Sequence, residues 1–502
     1  MFFKKKLIAN KNVKHVGNED SIPPSRELMS SEFKNRLHNS ADIFENEVGC
    51  SGITIFYIGT LIEKTMLYQF IIEPIKELSF DSIQKIMEYL SVAEIEKSNQ
   101  MDMVVKSALE GNVIIYLEGD SSVLLAKIPS TVGRSLTFAE NESAVIGPQI
   151  AFNESLLTNI SLIRNYLKDP KLCIENLNVG SHTNKTVSIV YMNGIASEQM
   201  VGTLRQRIQN IKIDGIIDSS GLLQLIEDNS LSIFPLMLLT ERPDRVSDLL
   251  LKGKLAIFVD GSSLAIVCPQ SFLEFFQSLE DYNVNWQIGT FLRFLRFIGL
   301  FISVFFTSIY VACLTFHYEV IPQTLLLPLS ESRSKVPFPP MFEALILEFF
   351  IELLREAGAR LPTKVGQTMG IVGGIVIGTA AVDAGFTSNI LIIIIALAAL
   401  GSFVTPSYSM GNVIRGLRFP LIILAGFWGF YGIMYGFCFL LLHMLKQSSL
   451  GTPYLSPFYP PRFSDWKDSI VRLPYQFTYK RADLNRPEDE YKYAPEKAKE
   501  KN

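Results

Sequence analysis

The chain has 502 residues, a formal charge of −4 and 19% charged residues, with a mean hydropathy of +0.24. It is too apolar for an ordinary water-soluble enzyme and too charged for a protein built only of membrane helices. Nothing in this balance suggests nucleic acid as a partner. Up to about residue 285 the charge density is ordinary, from there to about 445 the chain turns apolar, and the remainder is polar again.

The opening stretch "MFFKKKLIANKNVKHVG" is basic but has no continuous apolar segment and no small-residue cleavage site, unlike a secretory signal. Residues 1–40 read as a polar extension. The five cysteines, Cys50, Cys173, Cys268, Cys313 and Cys438, are scattered and without CxxC spacing, so neither a disulfide framework nor a zinc site is expected.

Two α/β subdomains follow, at 41–150 and 186–285, joined by a helical linker at 151–185. They share a weak repeat. "ITIFYIGTLIEK" from Ile53 resembles "VSIVYMNGIASE" from Val187, and "ALEGNVIIYLEGDSSVLLAKIP" from Ala108 resembles "LLKGKLAIFVDGSSLAIVCP" from Leu250. Gly111 matches Gly253 and Gly119 matches Gly261, each pair reading as a helix stop and then a hairpin turn. "TERPDRVSDLLLKG" opens the last helix of the second subdomain, with Thr240 or Asp244 as cap and Pro243 in the first turn. Its Glu241, Arg242, Asp244 and Arg245 are either a capped helix start or a contact surface for a neighbouring subunit. No phosphate loop, dinucleotide fingerprint, HExxH or GxSxG occurs, and the five histidines form no ligand set. The reading is therefore no enzyme, no metal and no cofactor.

Residues 286–445 are expected to form a helical membrane domain of four or five spans, near 291–316, 365–382, 390–404 and 420–445, with 341–357 as the optional fifth. Trp286 suits an interfacial anchor, and Arg293 and Arg296 mark the inner end of the first span. In "VGQTMGIVGGIVIGTAAV" the glycines Gly366, Gly370, Gly374 and Gly378 recur every fourth residue, a spacing that lets another helix approach to backbone contact. The acidic helix "MFEALILEFFIELLREAGARLP" carries Glu343, Glu348, Glu352 and Glu356. Carboxylates near a bilayer need a partner, water or a job. Three readings stay open: acids in water at the interface, acids paired with basic groups, or carboxylate rings around an oligomer's axis that attract cations. The polar tail, 446–502, ends in "NRPEDEYKYAPEKAKEKN", whose composition is that of a disordered segment.

At this point several long blocks become decisive. "GPQIAFNESLLTNISLIR", "TERPDRVSDLLLKGKLAIFVDGS", "PFPPMFEALILEFFIELLREAGARLP", "VGQTMGIVGGIVIGTAAVDAGFTS" and "ALAALGSFVTPSYSMGNVIRGLRFPLI" resemble the A subunits of the bacterial spore germinant receptors, the GerA family. The likeness runs from about residue 45 to about 485. Gln149 and Ile150 stand where that family usually has Arg and Glu, and Ser263 where it usually has Pro. The resemblance implies a nutrient sensor in the endospore inner membrane, multi-pass, with its N-terminal domain on the spore-core side. It further implies a transporter-like B subunit that holds the germinant, a lipoprotein C subunit, and assembly of the A subunit into a pentamer-like, nutrient-gated cation channel. The alternative is a non-conducting signalling or assembly scaffold of the same complex.

Overall fold

The computed structural model describes residues 20–49, 52–76, 78, 80–130, 138–140, 142–143, 146–361, 370 and 373–493. The chain divides into two compact units: Met1–Arg134 with Ile160–Glu175, and Ser135–Asn159 with Asn176–Asn502.

The first unit contains α1 (Arg26–Arg36), β1 (Ile43–Val48), β2 (Ile53–Ile58), the short helices α2 (Lys64–Leu67), α3 (Glu73–Lys76) and α4 (Ile83–Tyr89), β3 (Ile95–Ser98), α5 (Met101–Leu109), β4 (Asn112–Leu117) and β5 (Val123–Lys127). The strands form one antiparallel sheet in the order β1-β2-β4-β5-β3. Every residue of β2 is buried. Alternate side chains of a strand leave by opposite faces, and here both faces are covered. Ile53, Ile55 and Tyr57 pack with Ile71, Ile75, Ile83 and Ile86, whereas Phe56 and Ile58 pack with Met29, Phe33, Val104 and Ala108. Behind this core, Asp42 accepts two hydrogen bonds of 2.9 Å from Arg164 and a third, of 2.7 Å, from Ser40. Arg164 lies in α6 (Leu156–Tyr166).

The second unit repeats the plan. Its elements are β6 (Leu172–Val179), β7 (Lys185–Met192), α7 (Glu198–Gln209), α8 (Ser219–Ile226), β8 (Leu238–Thr240), α9 (Pro243–Leu251), β9 (Leu255–Val259) and β10 (Ala265–Cys268). The sheet order is β6-β7-β9-β10-β8, the same permutation as in the first sheet. Gly111 and Gly253 both take φ of +86°, and a side chain at either would press on a backbone carbonyl, of Leu61 or of Ile195, at the equivalent turn. Glycine is required there on both grounds. The linker expected at 151–185 is only partly helical: α6 is followed by strand β6, the edge of the second sheet, and by the turn into β7. α9 starts at Pro243 with Arg242 as its N-cap residue, which makes no side-chain cap. Thr240 Oγ1 accepts from Arg242 N at 3.2 Å and Asp244 Oδ1 from Arg245 N at 2.9 Å, so both expected residues bind amides of the helix start.

After the short α10 (Glu280–Asn283) comes a helical bundle: α11 (Trp286–Thr315), α12 (Gln323–Arg333), α13 (Pro340–Arg360), α14 (Asn389–Phe403) and α15 (Tyr408–Lys446). Among the described residues only α11 and α15 are long and apolar enough to cross a membrane by length and composition. α15 is not one rod. Gly429 sits at φ 58°, ψ −138°, outside helical geometry. A side chain at Gly432 would collide with the Leu424 carbonyl, and one at Gly436 with Leu421. In a straight helix residues 421 and 436 would be about 22 Å apart, so the chain reverses at Gly429 and α15 is a hairpin of two arms. The sequence-based span at 420–445 therefore straddles the turn. α11 and α14 run antiparallel, with Gly299 against Gly401 near one end and Tyr310 hydrogen-bonded to Ser388 toward the other.

The polar tail packs on the second sheet. Ser449 Oγ donates to the Leu236 carbonyl, Arg481 and Asn485 cap the exposed carbonyls of Leu251 and Lys252 at the end of α9, and Glu488 N donates to Ile195. These are the unpaired carbonyls that a helix C-terminus leaves over, and they explain why a composition typical of disorder is ordered here through residue 493. The last nine residues lie outside the described ones.

Asp42 tests the first unit. Burial raises the pKa of its carboxyl, but the Arg164 guanidinium and the hydroxyls of Ser40 and Thr60 outweigh that and hold it below the ordinary 3.8. A depressed carboxylate stabilises the fold fully above the unfolded pKa and loses that contribution as pH falls through the folded one. Asp42→Asn, which strands a buried guanidinium, is expected to cost about 3–5 kcal/mol. The loss should appear as faster amide exchange in β2 of the full-length protein at neutral pH, and the difference from wild type should shrink only below about pH 4.

Candidate functional site

α13 begins at Pro340, directly after Pro339, a suitable first-turn residue because a helix's first amides have no internal acceptor. Its acids then fall at intervals of four or five residues, and their surroundings change from one end to the other. Glu343, 2% exposed, accepts from Ser388 N at 2.7 Å and Thr387 Oγ1 at 3.0 Å, with Arg333 3.7 Å away. It thus caps the N-terminus of α14, where a carboxylate is favoured by the helix dipole. Glu348, 3% exposed, pairs with Arg418 at 3.1 Å and accepts from Thr307 at 2.9 Å. Arg418 in turn donates to Ser303 at 2.6 Å and to the Ala398 carbonyl at 2.7 Å. One ion pair therefore ties α11, α13, α14 and the first arm of α15.

The next two acids are less enclosed. Glu352, 36% exposed, contacts Arg355 and lies 3.8 Å from Arg415. Glu356 pairs with Arg360 at 2.6 Å with both side chains open. Each acid of α13 thus has an arginine of the same chain beside it. The structure brings Glu343 and Glu348 into the bundle and leaves Glu352 and Glu356 toward its rim.

The glycines behave differently. Gly366 lies outside the described residues. At Gly370, Gly374 and Gly378 an added Cβ would meet nothing within 4 Å, so among the described residues no helix packs on them. Gly299 and Gly401 carry the backbone-to-backbone contact instead: a Cβ on Gly401 would stand 2.6 Å from the Gly299 carbonyl oxygen. The two glycines lie a hundred residues apart and belong to no periodic motif, so no local pattern marks them.

At the end of the bundle that adjoins the second sheet, Arg293 and Arg296 of α11 both reach Asp281, at 3.0 and 2.8 Å. Asp281 and Arg293 are at most 1% exposed, and Arg293 also faces Asp468 of the tail at 3.6 Å. These arginines read in sequence as a charged membrane flank; in the structure they are buried ligands of one carboxylate. The "TERPDR" residues are close by. Arg242 pairs with Asp244 at 2.6 Å, Arg245 with Glu142 at 2.9 Å, and Glu241 accepts from the Glu142 amide at 2.8 Å. Glu241, Arg242 and Arg245 are no more than 9% exposed. Between this set and the α14–α15 turn lies a polar cavity of about 280 Å³, lined by Glu142, Arg242, Arg245, Glu280 and Arg296 and by Phe403–Pro406. No group of three or more potential metal ligands occurs among the described residues.

With this geometry in hand, comparison with known proteins gives a consistent family. Residues 31–484 match the family described as Bacillus/Clostridium GerA spore germination protein. The chain is 46% identical over 485 residues to spore germination protein GerQA of Bacillus cereus, covering 96% of each chain. It is 37% identical to spore germination protein KA of Bacillus subtilis, over 93% of this chain and 87% of that one. Among solved structures, the N-terminal domain of the A subunit of the Bacillus megaterium spore germinant receptor GerK3 aligns at 26% identity and a TM-score of 0.39, over 50% of this chain and 97% of that domain.

The graded burial of the α13 acids predicts graded costs. Glu348→Gln leaves Arg418 buried without its counter-charge and is expected to destabilise the bundle by about 3–5 kcal/mol. Glu356→Gln, at an open pair, should stay within about 1 kcal/mol of wild type. Thermal unfolding of the two variants in the same detergent decides the point, and equal melting temperatures would contradict the burial difference.

Proposed function

Because the chain belongs to the GerA family of spore germination proteins, we propose that it is the A subunit of a nutrient germinant receptor. In this reading it resides in the inner membrane of the spore and works as an oligomeric, nutrient-gated cation channel. A transporter-like B subunit holds the germinant and a lipoprotein C subunit completes the complex.

The bundle supports a membrane setting. α11 and both arms of α15 present large apolar side chains outward, among them Phe291, Phe294, Ile298, Phe427, Tyr435 and Phe439. Soluble proteins rarely leave so much contiguous apolar surface open. α11 leaves the second sheet, α14 runs antiparallel to it, and the two arms of α15 go out and back, ending at the docked tail. The segment from α13 to α14 starts and ends at the same level, since Glu343 binds Thr387 and Ser388. In this reading the number of crossings between residues 286 and 446 is even whether or not α13 spans. The tail and the second α/β subdomain share one side in the same reading, and the basic residues flanking the helices favour the spore core for it.

The observation that carries channel activity is the split along α13. Glu343 and Glu348 hold the chain's own helices together, while Glu352 and Glu356 stay open toward the rim. Gly370, Gly374 and Gly378 have no partner among the described residues. A neighbouring copy seated on those glycines would bring several copies of Glu352 and Glu356 toward a common path, and rings of carboxylates favour cations. The scaffold reading also has an observation behind it, since every α13 acid already has an arginine beside it.

Ion flux through purified protein in liposomes, with and without the B-type partner, separates the two. Cation flux that falls or loses selectivity in Glu352→Gln/Glu356→Gln, with oligomeric state unchanged, is the expected result. Flux indifferent to both substitutions removes these acids from the pathway. No flux from folded, oligomeric protein with its partner and nutrient present establishes the scaffold.

A further inference from the structure

Between α8 and β8 the chain makes a tight turn at residues 229–234 whose apolar side chains the described residues leave largely or partly uncovered. Leu231 is 87% exposed and Ile233 43%. The turn is firmly built. Asn229 Oδ1 accepts from Leu231 N at 3.1 Å, its carbonyl from Ser232 N at 3.1 Å, and Ser232 closes a second loop onto Phe234. It is also fixed to the last turns of α15: Ile233 N donates to His443 Nε2 at 3.2 Å and Asn229 Nδ2 to Gln447 at 3.0 Å. Behind it the Phe234 ring packs with His443, Phe272 and Tyr454.

A pinned turn gains nothing in water from a leucine at its tip, and the described residues give it no apolar cover. What adjoins it is the outward apolar face of the second arm of α15, where Phe439 is 62% and Leu442 58% exposed, one turn or less from His443. The hydrogen bond between Ile233 and His443 makes the two apolar surfaces continuous. We infer that Leu231 and Ile233 form a wedge that inserts into the headgroup–acyl boundary beside α15 and seats the second α/β subdomain on the lipid surface. The inference rests on the reading of α11 and α15 as membrane helices. A turn whose amides at residues 231–234 are already bonded enters that zone at a reduced polar cost, and amphipathic elements lie about 5–10 Å into it.

The test is tryptophan quenching in full-length protein reconstituted into phosphatidylethanolamine/phosphatidylglycerol nanodiscs, with and without acyl-chain bromination. Leu231→Trp and, separately, Ile233→Trp are compared with wild type, whose Trp428 on the outer face of α15 reports whether the helices are in lipid. The expected result is that wild-type emission is quenched and that the emission added at 231 or 233 is blue-shifted and largely lost to brominated lipid. Quenched wild type with unquenched added emission overturns the wedge and leaves the membrane reading intact. Unquenched wild type overturns both. Added emission that shifts only when another protein is supplied assigns the turn to a protein partner and overturns the lipid assignment.

Discussion

The carboxylate of Asp281 is the point on which the second unit turns. It is fully buried, and two arginines one helical turn apart on α11 converge on it. An isolated buried carboxylate would be neutralised or expelled, and two isolated guanidiniums would be costlier still. Together they fix the angle at which α11 leaves the α/β subdomain. Arg293 extends the contact to Asp468, so the docked tail completes the same charge cluster. Burial alone would raise the Asp468 carboxyl, yet Lys252 and Arg293 hold it below the usual aspartate range. Three distant parts of the chain are therefore held by charges that none of them can bury alone.

The bundle above this point follows a different rule. In the proposed bilayer setting the buried apolar cluster around Leu347, Leu391, Ile395 and Ile422 would not by itself order the helices, and small residues and polar contacts would specify their packing. Both are present and both are sparse. Gly299 and Gly401 bring α11 and α14 into backbone contact, and Glu348 with Arg418 joins those helices to α13 and α15. Glu343 fixes the start of α14. These few contacts set the helix positions, and the outward faces are left free to be apolar.

The repeat was legible because it rests on local chemistry. Strand periodicity and a glycine at φ near +86° leave their mark within a few residues, and the two identical sheet permutations bear out the alignment of Gly111 with Gly253 and Gly119 with Gly261. The contacts of α13 were not legible. Glu348 and Arg418 are separated by 70 positions, and the four-residue spacing of the acids says where they lie on the helix but not what faces them. Arg418 in an apolar stretch was the one available sign of a buried partner. The reversal at Gly429 was hidden in a run where glycine recurs for packing as well as for turning. The tail misled for a related reason: its polar groups bind backbone carbonyls, which every sequence supplies and no composition reveals.

The likeness of the two subdomains also shows where they differ. Aligning Gly111 with Gly253 places Met103 opposite Arg245, Gln100 opposite Arg242 and Asp102 opposite Asp244. In the first unit Asp102 meets Arg36, and Met103 stands 45% exposed. In the second unit the same helix start has gained two arginines, and they bind Asp244 and Glu142 beside the base of α11. The fold is common to both and so does not demand those charges. What differs is that only the second sheet has a helical bundle rising from its last strand. The added arginines lie beside the polar cavity that separates that strand's return from the α14–α15 turn. The "TERPDR" segment thus lies at the joint between the second α/β subdomain and the bundle.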